Sequence, residues 1–236
     1  MPVLYSYTAM IPSILPSTGP IGVFDSGYGG LTILDKIRGL MPEYDYIYLG
    51  DSARCPYGPR SFEVVYEFTL QAVSKLFELG CPLVILACNT ASAKALRTIQ
   101  QINLPVIDAT RRVLGVIRPT AECIGEITRS RHVGILATAG TIKSESYLLE
   151  IHKLSPDIVV TGEACPMWVS LVENNEYQSE GADYFVKQHI NRLLDKDPMI
   201  DTIILGCTHY PLLLDKIRQF TPEPCLLYTS DAADDM

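Results

Sequence analysis

The sequence predicts an α/β protein built from two similar α/β domains with mostly parallel sheets. Short apolar runs alternate with helical patterns along the chain, which is typical of α/β folds. The runs are apolar at consecutive positions, as in strands that are buried on both faces. Two parts of the sequence also resemble each other. The candidate strands are Ile21–Phe24, Tyr46–Leu49, Leu83–Ala87, Pro105–Ile107, Val133–Ala137, Ile158–Thr161 and Thr202–Leu205.

One amphipathic helix is predicted between the second and third candidate strands. Ser61 is suited to cap its start and Gly80 to end it. Its inward-facing positions recur at steps of three and four residues. They are Phe62, Val65, Thr69, Ala72, Leu76 and Leu79.

The internal repeat indicates how the two halves are arranged. Leu83–Thr90 resembles Thr202–His209, and in both an apolar strand runs into a cysteine, a polar turn and a helix. A second, shorter similarity relates Gly22–Ser26 to Gly134–Thr138. The halves are therefore expected to be related by pseudo-two-fold symmetry, the second starting near residue 113. Since such sheets bind ligands beyond the carboxyl ends of their strands, the predicted active site lies in the cleft between the halves.

Composition excludes several classes of function. The chain has 236 residues, of which 47% are apolar, so it can bury a substantial core. The net charge is −8 and the cations are scattered, which argues against nucleic acid as a partner. Residues 1–20 carry no charge but are interrupted by prolines, so we expect a disordered extension and neither a signal peptide nor a membrane span. The seven cysteines are widely spaced without a CxxC pair, so reduced thiols and a cytoplasmic location are expected.

Cys88 and Cys207 are the main candidates for chemistry. Each follows a predicted strand and precedes a predicted helix, whose dipole would favour the thiolate by lowering the thiol pKa. One such cysteine is more often a buried structural residue. Two in matched contexts suit a reaction with mirror-image halves, such as racemisation, in which one group removes a proton and another delivers one to the opposite face.

Other polar residues are weaker candidates. Asp25 and Ser26 open a glycine-rich turn, which either binds substrate or serves only as a turn, and no GxGxxG spacing is present. His209 can tune Cys207 or hydrogen-bond a substrate amine. Cys207 and His209 lack convincing further metal ligands in the sequence. Phosphatase, P-loop, HExxH and GxSxG patterns do not occur.

Four motifs together resemble glutamate racemase, a cofactor-independent bacterial enzyme family that supplies D-glutamate for peptidoglycan. They are Phe24-Asp-Ser-Gly-Tyr-Gly-Gly30, Gly50-Asp-Ser-Ala-Arg-Cys-Pro-Tyr-Gly58, Ala87-Cys-Asn-Thr-Ala-Ser92 and Gly206-Cys-Thr-His-Tyr-Pro211. They occur in the family's order, and the resemblance runs from about Ile21 to about Phe220. Aspartate racemase and other two-cysteine isomerases are the alternative, as is an inactive relative.

The resemblance implies two α/β domains, a glutamate substrate, neither pyridoxal phosphate nor metal, and a homodimer. The catalytic set that it implies is Cys88, Cys207, Asp25, Glu173 and His209. The substrate contacts that it implies are Asp25, Ser26, Tyr57, Gly58, Asn89, Thr90, Thr208 and His209.

Two segments depart from the family pattern. Trp168 and Ser170 precede Glu173 where relatives commonly carry other residues, which is expected to alter the packing there. The residues from about Glu223 onward also differ from the family. The first domain, expected to comprise residues 21–112 and about 210–236, would then be incomplete, with residues 113–209 as the second domain.

Overall fold

Two parallel four-stranded sheets form the framework of the protein. The structure, a computed structural model, describes residues 19–229. The first four strands are β1 (Ile21–Asp25), β2 (Tyr46–Gly50), β3 (Leu83–Leu86) and β4 (Arg112–Gly115). The next four are β5 (His132–Ala137), β6 (Val159–Ala164), β7 (Thr202–Gly206) and β8 (Leu226–Thr229). Their order is β2-β1-β3-β4 in the first sheet and β6-β5-β7-β8 in the second.

The two sheets have the same topology, which confirms the repeat seen in the sequence. The β1 strand pairs in parallel with β2 and β3, and β5 pairs in parallel with β6 and β7. The β3 and β7 strands therefore occupy equivalent places. The cysteines that follow them, Cys88 and Cys207, do so as well.

Helices connect the parallel strands, as parallel pairing requires. They are α1 (Leu31–Leu40), α2 (Phe62–Glu78), α3 (Asn89–Lys94), α4 (Leu96–Thr98), α5 (Leu104–Ile107), α6 (Ile117–Ile127), α7 (Ala139–Lys143), α8 (Ser146–Leu154), α9 (Pro166–Glu173), α10 (Glu180–Lys196) and α11 (Leu214–Phe220). A π-helical turn, Ile99–Asn103, precedes α5, and a 3₁₀ turn, Tyr210–Leu213, precedes α11. None of the helices within residues 19–229 is both long and apolar enough to cross a membrane.

The predicted amphipathic helix is confirmed as α2. The Ser61 hydroxyl accepts a hydrogen bond from the Val64 amide at its start. Gly80 follows its end with a φ of +90°, a backbone conformation that glycine adopts without steric cost. The apolar face of this helix packs into the core of the first half through Val65, Ala72 and Leu76, whereas Phe62 and Leu79, expected on the same face at its two ends, are exposed.

Three strand assignments differ from the sequence prediction. Pro105–Ile107 is helical, within α5, because proline near a helix start replaces an N–H that has no partner there. The β4 and β8 strands were not predicted. The β4 strand is short and contains Arg112 and only two large apolar residues, whereas β8 lies in the segment from about Glu223 onward that departs from the family pattern.

The sheets also bear on the expected domain boundaries. The β4 strand hydrogen-bonds to β3, so the first sheet reaches Gly115 and not only residue 112. The β8 strand hydrogen-bonds to β7, so the last described strand belongs to the second sheet, although residues beyond about 210 were expected to join the first domain. The α11 helix supplies the short crossover that β8 needs to lie parallel to β7. Most of the predicted extension, residues 1–18, and residues 230–236 lie outside the described part of the chain.

Asp201 ties the turn before β5 to the start of β7. Its Oδ1 accepts hydrogen bonds from the hydroxyls of Thr128 (2.7 Å) and Thr202 (2.9 Å). Its Oδ2 accepts from the amides of Arg129 (2.8 Å) and Ser130 (2.6 Å). Partial burial opposes ionisation of this carboxyl, but the four hydrogen bonds outweigh it and lower the Asp201 pKa to about 2.

We predict that Asp201→Asn destabilises the fold in a pH-dependent way. An amide NH₂ would face donors that now contact a carboxylate oxygen, a change worth about 1–3 kcal/mol. Because the folded pKa lies below the ordinary 3.8, ionised Asp201 stabilises the fold above about pH 4, and this contribution is lost as the pH falls through about 2.

Urea unfolding at pH 7, 4 and 2.5 measures the effect. The difference in unfolding free energy between the original protein and the variant should be largest at pH 7 and shrink toward pH 2.5. Asp195→Asn, on the exposed face of α10, is the matched control and should change little at any pH. A difference that stays constant down to pH 2.5 would show that the charge on Asp201 is not what stabilises the turn.

Candidate active site

The carboxyl ends of strands from both sheets meet at one pocket between the two halves. It is lined by Ser26, Cys55, Pro56, Tyr57, Gly58, Cys88, Asn89, Thr90, Thr138, Val169, Cys207, Thr208 and His209. Ser26 follows β1, Cys88 follows β3, Thr138 follows β5 and Cys207 follows β7. The four strand ends that the repeat singled out therefore converge.

Asp25 and Glu173 are the two predicted site residues that do not line this pocket. Asp25 is the last residue of β1, fully buried directly behind the pocket. Glu173 is the last residue of α9, and its carboxylate reaches His209. Both lie one contact away from the lining residues.

Cys88 is buried at the start of α3. Its Sγ lies 3.4 Å from the Ser26 hydroxyl and accepts a hydrogen bond from the Ala91 amide at 3.5 Å. Burial and, to a smaller extent, nearby Asp25 raise the pKa of this thiol, hydrogen bonds with Ser26 and Ala91 only partly offset them, and the resulting pKa is about 11. The thiolate that the sequence predicted at a helix start is thus not favoured, because desolvation outweighs the effect of the short α3 helix.

Cys207 is equally enclosed and has a base beside it. Burial raises its pKa well above the ordinary value. His209 Nδ1 lies 3.8 Å from Cys207 Sγ, and His209 Nε2 lies 2.5 Å from Glu173 Oε1. When Nε2 donates to the carboxylate, Nδ1 is left as an acceptor facing the thiol. The arrangement can therefore receive a proton from Cys207.

Asp25 connects the two halves at the back of the pocket. Its Oδ2 accepts from the Gly27 amide at 3.0 Å, and its Oδ1 accepts from the Thr208 hydroxyl of the other half at 3.3 Å. Burial raises the Asp25 pKa, while His209 and these hydrogen bonds oppose the rise. The carboxyl thereby fixes the position of Thr208 relative to β1.

Asn89 presents an unused donor to the pocket. Its Oδ1 accepts from the Tyr147 hydroxyl at 2.6 Å, whereas its Nδ2 has no hydrogen-bond partner within residues 19–229. A buried amide N–H without a partner is costly, so this group is poised for a ligand oxygen. Thr90 lies beside it.

Thr138 belongs to the pocket but was not predicted. Its hydroxyl lies 3.0 Å from that of Thr90 and 3.1 Å from that of Thr141, so three hydroxyls cluster where the halves touch. The signal was present in the sequence, since the similarity between Gly22–Ser26 and Gly134–Thr138 puts Thr138 in the place that Ser26 takes in the first half.

Tyr57 and Gly58 line the pocket without offering the tyrosine hydroxyl to it. The Tyr57 hydroxyl donates to Asp51 Oδ2 at 2.5 Å, and its ring is buried in the core. Gly58 meets the second half closely, because a Cβ at this position would lie 2.9 Å from Thr138 Cβ, and the Gly140 amide donates to the Gly58 carbonyl at 3.1 Å. This loop therefore contributes backbone groups to the site.

The unusual Trp168 fits without displacing Glu173. Trp168 is fully buried, and its ring meets that of Tyr210 edge-to-face at 4.8 Å. The α9 helix that carries it ends at Glu173, whose contact with His209 is intact.

Known proteins resemble this chain in sequence and in fold. The Asp/Glu/Hydantoin racemase family matches residues 32–233. The chain is 44% identical to a glutamate racemase of Staphylococcus epidermidis over 85% of its own length and 73% of that protein. It superimposes with a TM-score of 0.82 and 38% identity on glutamate racemase isoform RacE1 of Bacillus anthracis, covering 90% of this chain and 77% of that one.

A second solved structure carries a ligand. The glutamate racemase of Francisella tularensis, in complex with D-glutamate, has a TM-score of 0.80 and 34% identity, covering 91% of this chain and 77% of that one. The resemblance that the four motifs indicated is confirmed, as is the fold of two parallel-sheet halves. The chain belongs to the Asp/Glu/Hydantoin racemase family.

Proposed function

We propose that the protein interconverts L- and D-glutamate without a cofactor, using Cys88 and Cys207 on opposite faces of the substrate. The observation that carries this proposal is the pair of buried thiols at equivalent strand ends of two repeated halves, both lining one pocket. Racemisation requires one base and one acid on opposite sides of Cα. The repeat supports this proposal because it puts one thiol at the equivalent strand end of each half.

In the proposed reaction one thiol must lose its proton before it can act. For Cys207 the acceptor is His209 Nδ1, and Glu173 stabilises the imidazolium that forms. The thiolate then removes the Cα proton, and the neutral Cys88 thiol delivers its own proton to the other face. In the reverse direction Cys88 is the base, with Ser26 and Asp25 as its polar neighbours.

The proposed substrate contacts follow from the donors that face the pocket. The free Asn89 Nδ2 and the hydroxyl of Thr90 are suited to hold one carboxylate, with Thr138 beside them. The backbone of Tyr57 and Gly58 borders the same space. Ser26, Thr208 and His209 complete the proposed set.

The wider biological role is part of the same proposal. D-glutamate is a building block of peptidoglycan, so we propose a cell-wall role in the bacterial cytoplasm. We also propose that the protein acts as a homodimer, as the family resemblance implies.

The first prediction from this proposal tests the reaction itself. Incubation of L-glutamate with the protein in D₂O should give D-glutamate labelled at Cα, in the presence of EDTA and of a carbonyl reagent. Loss of turnover with the carbonyl reagent would contradict the cofactor-free mechanism. Turnover of aspartate in preference to glutamate would instead support the alternative substrate, and turnover of neither would identify an inactive relative.

The second prediction concerns the two thiols. Cys88→Ser and Cys207→Ser should each lower racemisation by more than roughly 100-fold, because a complete turnover uses both faces. Cys123→Ser, a partly buried cysteine outside the pocket, is the matched control and should keep its rate. Residual exchange of the Cα hydrogen with D₂O should favour opposite enantiomers in the two variants. A variant of either pocket cysteine that racemises at the original rate would show that its thiol is structural.

The third prediction concerns Gly29, which packs closely against Thr208 and His209. A methyl group at Gly29 would lie 2.7 Å from Thr208 Oγ1 and 3.0 Å from His209 Nδ1. Gly29→Ala should therefore displace both groups and lower kcat by about 10- to 100-fold. Gly39→Ala, where a Cβ meets no atom within 4 Å, is the control and should keep kcat. Equal kcat in the two variants would show that the placement of His209 is not critical.

A further inference from the structure

A third cysteine lies beside the proposed catalytic groups but has no part in the proposed proton transfers. Cys55 Sγ lies 3.6 Å from Glu173 Oε1, which in turn lies 2.5 Å from His209 Nε2. These sulfur, oxygen and nitrogen atoms all lie within 4.8 Å of one another. They come from three distant parts of the chain: the loop before α2, the end of α9 and the turn after β7.

The three atoms converge on a space beside Gly27. A Cβ at this position would lie 3.1 Å from Glu173 Oε1, 3.5 Å from Cys55 Sγ and 3.7 Å from His209 Nε2. One point is thus nearly equidistant from all three atoms, and the absence of a side chain at Gly27 leaves room beside it. The three ligand atoms therefore surround this point on one side, an arrangement called the half-shell below, and do not lie in a line.

The chemistry of this half-shell matches a borderline-soft divalent cation. A tetrahedral Zn²⁺ site has bonds of about 2.0–2.3 Å to nitrogen, oxygen and sulfur, which separates its ligands by about 3.3–3.6 Å. The Cys55–Glu173 separation already has this value. The Glu173–His209 pair must open slightly, and Cys55 must approach His209. A thiolate and a carboxylate balance the two positive charges, whereas Mg²⁺ and Ca²⁺ prefer ligand sets made of oxygen.

We propose that Cys55, Glu173 and His209 form an inhibitory Zn²⁺ site at the edge of the active-site pocket. Zinc bound there occupies His209 Nε2 and the Glu173 carboxylate, so the neutral imidazole carries its proton on Nδ1 and can no longer accept the proton of Cys207. The fourth coordination position faces the pocket and takes water or a substrate carboxylate. The inhibitory effect rests on the proposed racemisation, whereas metal binding itself does not.

Binding of the metal displaces one proton from the Cys55 thiol. Burial, reinforced by the neighbouring Glu173 carboxylate, raises the pKa of this thiol to about 12. The proton goes to solvent as the Zn–S bond forms, so metal affinity should rise with pH. This dependence separates a thiolate site from binding to surface carboxylates, which are already ionised at neutral pH.

Cobalt(II) is the probe for the site itself, because a thiolate bound to it gives a charge-transfer absorption band that carboxylate and imidazole ligands do not. The full chain, kept reduced by a phosphine and freed of metal, is titrated with Co²⁺. We expect one thiolate–cobalt band, which Zn²⁺ abolishes by displacement. The band should be absent in Cys55→Ser and present in Cys88→Ser and in the control Cys123→Ser. Melting temperatures of the variants show that each is folded.

Two results would overturn the assignment. A band that persists in Cys55→Ser, or one that disappears in Cys88→Ser, would place the metal on other thiols. Restoration of the band in Cys55→His is not expected, since the band requires sulfur. Recovery of Zn²⁺ affinity in Cys55→His, measured by displacement of a chromophoric chelator, would in contrast support the site, because histidine is also a zinc ligand.

Inhibition is measured separately. The zinc concentration that halves each variant's own zinc-free rate should rise at least about tenfold in Cys55→Ser and stay unchanged in Cys123→Ser. If the protein does not racemise glutamate, the cobalt band still decides whether the metal site exists. If it racemises glutamate and neither the band nor zinc inhibition is seen, the metal proposal alone is wrong.

Discussion

Burial of ionisable side chains at the strand ends is the constraint on which the site depends. Cys88, Cys207 and Asp25 are buried where the two halves meet, and burial raises the pKa of each. In such surroundings a charge is costly unless hydrogen bonds or an opposite charge compensate it. The protonation states therefore depend on a few neighbours: Ser26 for one thiol, and His209 with Glu173 for the other.

Because the fold is repeated, each half contributes one buried cysteine to the same pocket. Each sheet provides one cysteine from its third strand in chain order, and neither half alone holds the complete pocket. The contacts between the halves involve the site residues themselves: Thr90 with Thr138, Thr208 with Asp25, and the Gly58 carbonyl with the Gly140 amide. A small displacement of one half would therefore change the distance between the thiols and the alignment of the donors at once.

Sequence patterns predicted the features that depend on consecutive residues and missed those that depend on contacts between distant parts of the chain. Cys88 and Cys207 could be predicted because a strand, a cysteine, a polar turn and a helix follow one another in the chain. The β4 strand was missed because it is short and begins with Arg112, and β8 because it lies in the segment that departs from the family pattern. The direction of the thiol pKa shift was wrong because burial by residues distant in the chain leaves no local signature. Cys55 had no signal of its own, since its partners lie more than a hundred residues away in the chain.

The His209–Glu173 pair suits both proton transfer and metal binding. Metal binding at this pair also requires the Cys55 thiol to lose its proton. An imidazole held by a carboxylate is a good proton relay, but its nitrogen and the carboxylate oxygen are also zinc ligands. At Cys55, burial and the neighbouring Glu173 carboxylate raise the pKa of the thiol, so a metal must displace the thiol proton in order to bind. Glu173 produces part of that rise in pKa, and it would also bind the ion. In these two proposals, a single carboxylate therefore orients His209 for the reaction and also disfavours ionisation of the thiol that would bind the inhibitory metal.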